Sequence, residues 1–169
     1  MTLHGFVEYL KYRWKAKGRH GVHSPFVYGF IEQVLQNKDL IDKAYIVEYP
    51  SLALRYENLI SRIAAYNKYR EILYLPPENE AIIKPHANML LLREARPLQW
   101  PSLMKEYFYL LMNDSVMIAV DIHKSPEHTK GWLLLRTDSK VRMSIDLYGL
   151  GVLFFKEEFK ETQHFILKY

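Results

Sequence analysis

Cysteine is absent from this chain, which excludes a disulfide framework, a thiolate metal site and a cysteine nucleophile. Glycine is scarce, 7 residues in 169, and none falls between Phe30 and Gly131. Loops that cradle phosphate or a dinucleotide need glycine, because backbone must turn tightly and approach the ligand closely. Neither G-x-G-x-x-G nor the P-loop pattern occurs. There is no G-x-S-x-G elbow and no H-E-x-x-H pair, so neither a serine-hydrolase nor a zincin reading has a motif to stand on. No apolar run approaches the ~20 residues that span a bilayer. The opening Met1-Thr2-Leu3-His4-Gly5 does not have the basic-then-apolar form of a secretory signal. The expectation is a cytoplasmic protein with no membrane partner.

What is present is ordinary for one globular unit of this length. Apolar residues make up 49% of the chain and charged residues 25%, with a net charge of +4. The charge is uneven: Lys11, Arg13, Lys15, Lys17 and Arg19 crowd one stretch, opposed only by Glu8. Such a cluster, with Tyr12 and Trp14 between its members, can serve a nucleic-acid surface. A solvated helix face explains it with fewer assumptions, so nucleic acid is not the expected partner. The 13 tyrosines suit contact surfaces and core margins alike.

Helical periodicity dominates the first part of the chain. Leu3, Phe6, Val7, Leu10 and Trp14 predict a helix over 2–15. Ser24-Pro25 supplies an N-cap and a first-turn proline for a second helix with the stripe Phe26, Val27, Phe30, Ile31, Val34 and Leu35. A third helix, starting near Pro50-Ser51, carries Leu52, Tyr56, Leu59, Ile60, Ile63 and Ala64. Residues 1–68 therefore read as an N-terminal helical region.

From 69 to 169 the pattern is α/β. Short apolar runs at 71–75, 89–92 and 116–120 read as buried parallel strands, with a helix over about 102–112 and another opened by Ser125-Pro126. The segments 141–147 and 151–155, joined through Tyr148-Gly149-Leu150, predict an antiparallel hairpin. A last apolar segment covers 164–169.

Asp121, His123, Glu127 and His128 fall where the third strand gives way to a helix, and open α/β sheets hold ligands at strand carboxyl ends. Asp121 and His123 are two apart, so an extended strand would turn both to one side. As a pair they would serve as a general base or as two ligands of a divalent metal; a structural helix-cap cluster is the other reading. His20 and His23 flank Gly21-Val22, where loop-anchoring hydrogen bonds account for them without zinc.

Three segments together resemble a known family. They are His20-Gly-Val-His-Ser-Pro-Phe-Val-Tyr28; Val120-Asp-Ile-His-Lys-Ser125 with Trp132; and Ile145-Asp-Leu147 through Gly151-Val-Leu-Phe-Phe155, closing on His164-Phe-Ile-Leu-Lys-Tyr169. In order and over most of the chain, they resemble bacterial class I S-adenosylmethionine-dependent methyltransferases of the O-methyltransferase-like kind. The resemblance implies a Rossmann-like sheet of order 3-2-1-4-5-7-6 with a glycine-rich cofactor loop after its first strand. Here that strand exits into Leu75-Pro76-Pro77-Glu78, and only 76–87 separate it from what aligns as the fourth strand. Loss of the intervening units would leave the order 1-4-5-7-6, with the last strands antiparallel, and would expose Ile72, Leu73, Tyr74 and Leu75 as an edge.

Other family positions are also changed. The Asp-Gly pair expected after the fourth strand is Arg93-Glu94, and the first of two successive aspartates is Val120, so only Asp121 and His123 carry over. The resemblance thus implies descent without the cofactor. The expectation is a degenerate, non-catalytic, methyltransferase-like protein that binds no cofactor and no metal and acts through a protein partner or as a homodimer. Two alternatives stand beside it: methyl transfer through an altered S-adenosylmethionine site, and nucleic-acid binding by the basic helix.

Overall fold

The structure is a computed structural model that describes residues 2–18, 21–39, 52–69, 71–77, 87–92, 96–159 and 161–169. The chain divides into two compact units. One comprises Met1–Ala16 and Glu71–Leu167; the other comprises Lys17–Arg70 and Lys168–Tyr169. This division differs from the boundary expected near residue 68. The first helix, α1 (Leu3–Lys15), belongs to the sheet unit, and the last two residues belong to the helical unit.

The helical unit contains α2 (Pro25–Phe30), a π-helical turn over Ile31–Gln36, and α3 (Leu54–Asn67). Ser24 caps α2 as its sequence predicts: the hydroxyl accepts from the Val27 N–H, with Pro25 in the first turn. The α3 helix opens after Ala53; the expected start at Pro50-Ser51 lies outside the described residues. It closes at Lys68, whose φ of 58° puts a non-glycine residue in the left-handed region. The Tyr69 N–H then returns to the Ala64 carbonyl, meeting one of the helix's last open acceptors. Inside this unit Arg62 is buried, donating to the carbonyls of Leu35 and Asn37 and to the Tyr169 hydroxyl.

The sheet unit is α/β, with six strands among the described residues: β1 (Ile72–Leu75), β2 (Ala87–Leu92), β3 (Leu111–Val120), β4 (Met143–Asp146), β5 (Leu150–Phe154) and β6 (Gln163–Ile166). Besides α1, the described residues of this unit include the helices α4 (Trp100–Tyr107) and α5 (Pro126–Arg136). The strand order is β1-β2-β3-β5-β4-β6. The first three strands are mutually parallel, β5 is antiparallel to both β3 and β4, and β6 is parallel to β4.

This order differs from the expected one. The C-terminal segment adds a sixth strand on the β4 edge, and it runs parallel there, so the sheet does not end on antiparallel strands. The Arg142 carbonyl accepts from the Gln163 N–H and the Asp146 carbonyl from the Leu167 N–H; these bonds bracket β6 and set its direction. The helix expected over 102–112 also stops early: α4 ends at Tyr107, one 3₁₀ turn covers Phe108–Leu110, and β3 begins at Leu111.

Burial follows from the strand composition. Leu90, Leu92, Met117, Ala119 and Leu153 present one face to Trp100, Met104, Trp132 and Leu135 from α4 and α5. Two glycines permit this packing. A Cβ on Gly151 would lie 2.5–2.7 Å from ring carbons of Trp132, and one on Gly131 would lie 2.3 Å from the Pro97 carbonyl oxygen. Both are therefore sites of close approach. Among the described residues, no helix is long and apolar enough to cross a membrane.

Candidate functional site

The site forms where β3 hands over to α5, beside the end of β4 and against α1. Ser125 caps α5, accepting from the His128 N–H, with Pro126 in the first turn. That cap places His123 in the turn between strand and helix. Its Nε2 lies 2.8 Å from Oδ2 of Asp146, the last residue of β4. The same oxygen accepts from the Trp132 indole N–H at 3.2 Å, and Oδ1 accepts from the Tyr148 backbone N–H at 2.9 Å. Asp146 is buried, at 4% exposure, so its carboxylate depends on these donors.

The other edge of the imidazole faces α5 and α1. His123 Nδ1 is 3.4 Å from the Thr129 hydroxyl, which lies 3.1 Å from Nε2 of His4. One proton arrangement satisfies the whole chain of contacts: His4 donates to Thr129, Thr129 donates to His123, and His123 donates to Asp146. Glu8 Oε2 is 3.9 Å from Nδ1 of His123, and Glu8 Oε1 accepts from Lys11 at 2.7 Å. The His123 ring stacks on Tyr148 at 5.7 Å between centroids, and the Tyr148 hydroxyl donates to the Gly5 carbonyl at 2.7 Å. The Tyr12 hydroxyl donates to the Leu167 carbonyl. Together these contacts fasten α1 to the sheet.

Asp121 does not share this arrangement. The strand ends at Val120, and Asp121 has a φ of 56°, so the two-residue spacing no longer sends both side chains the same way. Its N–H donates to the Gly149 carbonyl and its carboxylate accepts from Lys124 at 3.2 Å. The imidazole is thus paired with Asp146, a residue that spacing alone does not nominate. Among the described residues no group of three or more His, Asp or Glu side chains is arranged to hold a metal ion. His20 lies outside the described residues, and His23 is exposed.

Beside this cluster lies a cavity of about 180 Å³. Tyr12, Trp132, Leu133 and Ile166 give it apolar walls, and Lys11, Lys15 and Arg136 line it with His123 and Asp146. Two residues before Asp146 on β4, and so on the same face of the strand, the Ser144 hydroxyl is 2.6 Å from Nδ1 of His164. His164 is exposed as a residue, but partial desolvation of its ring holds the pKa below its usual value, and the Arg136 guanidinium adds to that effect.

The remaining residues singled out from sequence are dispersed. In β1, Ile72, Leu73 and Tyr74 are half-buried and Leu75 is fully buried. The strand stands at the end of the sheet, with β2 as its sheet partner among the described residues. Lys11 is tied to Glu8, and Arg13 lies over the Tyr9 ring at 5.9 Å. Lys15 lines the cavity. Lys17 falls in the helical unit, and Arg19 lies outside the described residues.

The stripe that predicts α1 is turned outward. Leu3 is 80% exposed, Phe6 44%, Val7 41%, Leu10 52% and Trp14 93%, while Gly5 and Tyr12 on the opposite face are buried. No family model, curated protein or solved structure matches the chain in comparison.

Proposed function

We propose that this is a cytoplasmic, methyltransferase-like protein that acts by association with a protein partner and not by methyl transfer. The observation that carries the reading is the outward face of α1. Its five large apolar side chains fall at i, i+3, i+4, i+7 and i+11 within an arc of about 100°. That is the pattern by which an amphipathic helix seats in an apolar groove. Exposed apolar surface gathered on one element marks an interaction site more often than scattered side chains do.

Charge chooses the occupant. Arg13 borders the stripe on one side, and on the other stands Lys11, which is paired with Glu8 yet still largely exposed. A second copy would bring the same cations to the contact, whereas a groove edged with Asp and Glu would complement them. The cofactor side of the proposal is supported by the glycine-free stretch and by Pro76-Pro77 directly after β1, a sequence with no N–H to offer a ligand at either proline. Three parallel strands followed by an antiparallel hairpin support reading the sheet as a shortened Rossmann-like one.

A photo-crosslinking residue at position 10 tests this reading in cells that produce the protein. The expected result is one discrete protein adduct, abolished by Trp14→Glu and absent when the same probe sits at Glu158. Equal adducts from both positions, or none from either, would refute the docking role of α1.

One observation favours a second reading. The His123–Asp146 pair beside the cavity has the geometry of an oriented general base, so residual catalysis is its natural alternative. Radiolabelled methyl transfer that disappears in His123→Gln would establish that alternative in place of the first.

A further inference from the structure

The cavity beside His123 holds more positive charge than its own residues neutralise. Glu8 is committed to Lys11 at 2.7 Å, and the Asp146 carboxylate already accepts from His123, Trp132 and Tyr148. Among the described residues, neither Lys15 nor Arg136 has a carboxylate partner. The Nε–H of Arg136 is moreover buried with no acceptor among the described residues. A buried guanidinium N–H left open in this way forgoes a charge-assisted hydrogen bond, which calls for an explanation. His164, on which the Arg136 charge acts, is a base and cannot be its counter-ion.

The walls specify the rest of the ligand. Tyr12, Trp132, Leu133 and Ile166 present apolar surface to the space. Inorganic phosphate would leave that surface facing water, and a neutral hydrocarbon would leave the cations unpaired. A volume of about 180 Å³ is close to that of an apolar cavity able to take up benzene, about 150 Å³. We propose that this cavity is a binding site for a small organic anion, a carboxylate carrying a compact apolar body, with Arg136 and Lys15 holding the charge. The site stands whether or not α1 docks a partner, because the cavity residues are not the exposed stripe.

Benzoate is the probe, with benzyl alcohol as its neutral counterpart and inorganic phosphate as its purely polar one. Titrations of the full chain followed by amide and imidazole NMR should show saturable benzoate shifts at Trp132 and Thr129. They should also show the His164 pKa rising toward its usual value as the anion offsets Arg136. Benzyl alcohol and phosphate should each bind at least tenfold more weakly. Arg136→Gln should weaken benzoate at least tenfold, and Lys15→Gln severalfold; the Lys15 variant keeps the test alive if Arg136→Gln does not fold. No saturable benzoate shift, equal binding of benzyl alcohol or phosphate, or benzoate affinity unchanged in the folded variants would overturn the proposal.

Discussion

The carboxylate of Asp146 and the imidazole of His123 meet at 2.8 Å across 23 residues of sequence, joining the end of β4 to the turn that opens α5. Trp132 shares the same carboxylate oxygen, so one buried acid holds two elements in register. Removing it leaves a largely buried indole N–H and imidazole N–H without their acceptor. Asp146→Ala is therefore expected to lower unfolding free energy by about 2–4 kcal/mol, read by urea denaturation. Asp146→Asn, which retains one acceptor oxygen, should cost less. A change below about 0.5 kcal/mol for the alanine variant would mean that the cluster is not a structural clasp.

Acid should act through His164. Its pKa is lowered in the folded state, first by burial and then by Arg136. A histidine with a depressed folded pKa binds its proton more readily when unfolded. Stability from this source is thus complete above the unfolded pKa of about 6.5 and falls as pH drops below it. Denaturation midpoints measured between pH 8 and 5 should decline on the acid side, and His164→Gln should flatten that decline. An unchanged slope in the variant would assign the acid sensitivity to other groups.

Much of this architecture is legible in the sequence wherever the signal is local. Ser24-Pro25 and Ser125-Pro126 announce helix starts because capping needs only neighbouring atoms, and both caps form. The apolar runs of β1, β2 and the second half of β3 are equally plain. Tyr107–Leu111, by contrast, suits helix and strand alike, and sheet pairing decides it: Leu111 pairs with Ala87.

Periodicity in α1 correctly marks a helix but says nothing about which face is covered. Tyr12 and Gly5, not the leucines, make its inward contacts. The site was half legible. His123 stands out at a strand end, but Asp146 becomes its partner only through the β4–β5 hairpin. Asp121 is diverted by a left-handed backbone that spacing rules do not anticipate.

The edge position of β1 bears on self-association. Leu75 is core and Leu73 packs against that core, which makes a charged residue at 73 a poor probe of an interface. Ile72 projects to the other face of the strand and is half-buried. If two copies pair along β1, the native chain should sediment as a dimer at micromolar concentration and Ile72→Lys as a folded monomer. A native chain that sediments as a monomer would remove β1 as a contact between copies and leave α1 as the surface of association.

Whether association replaces methyl transfer in this protein is decided by calorimetric titration of the purified chain with S-adenosylmethionine. No saturable heat is expected up to millimolar cofactor. A dissociation constant tighter than roughly 100 μM, on the order of −5.5 kcal/mol, would contradict association in place of methyl transfer.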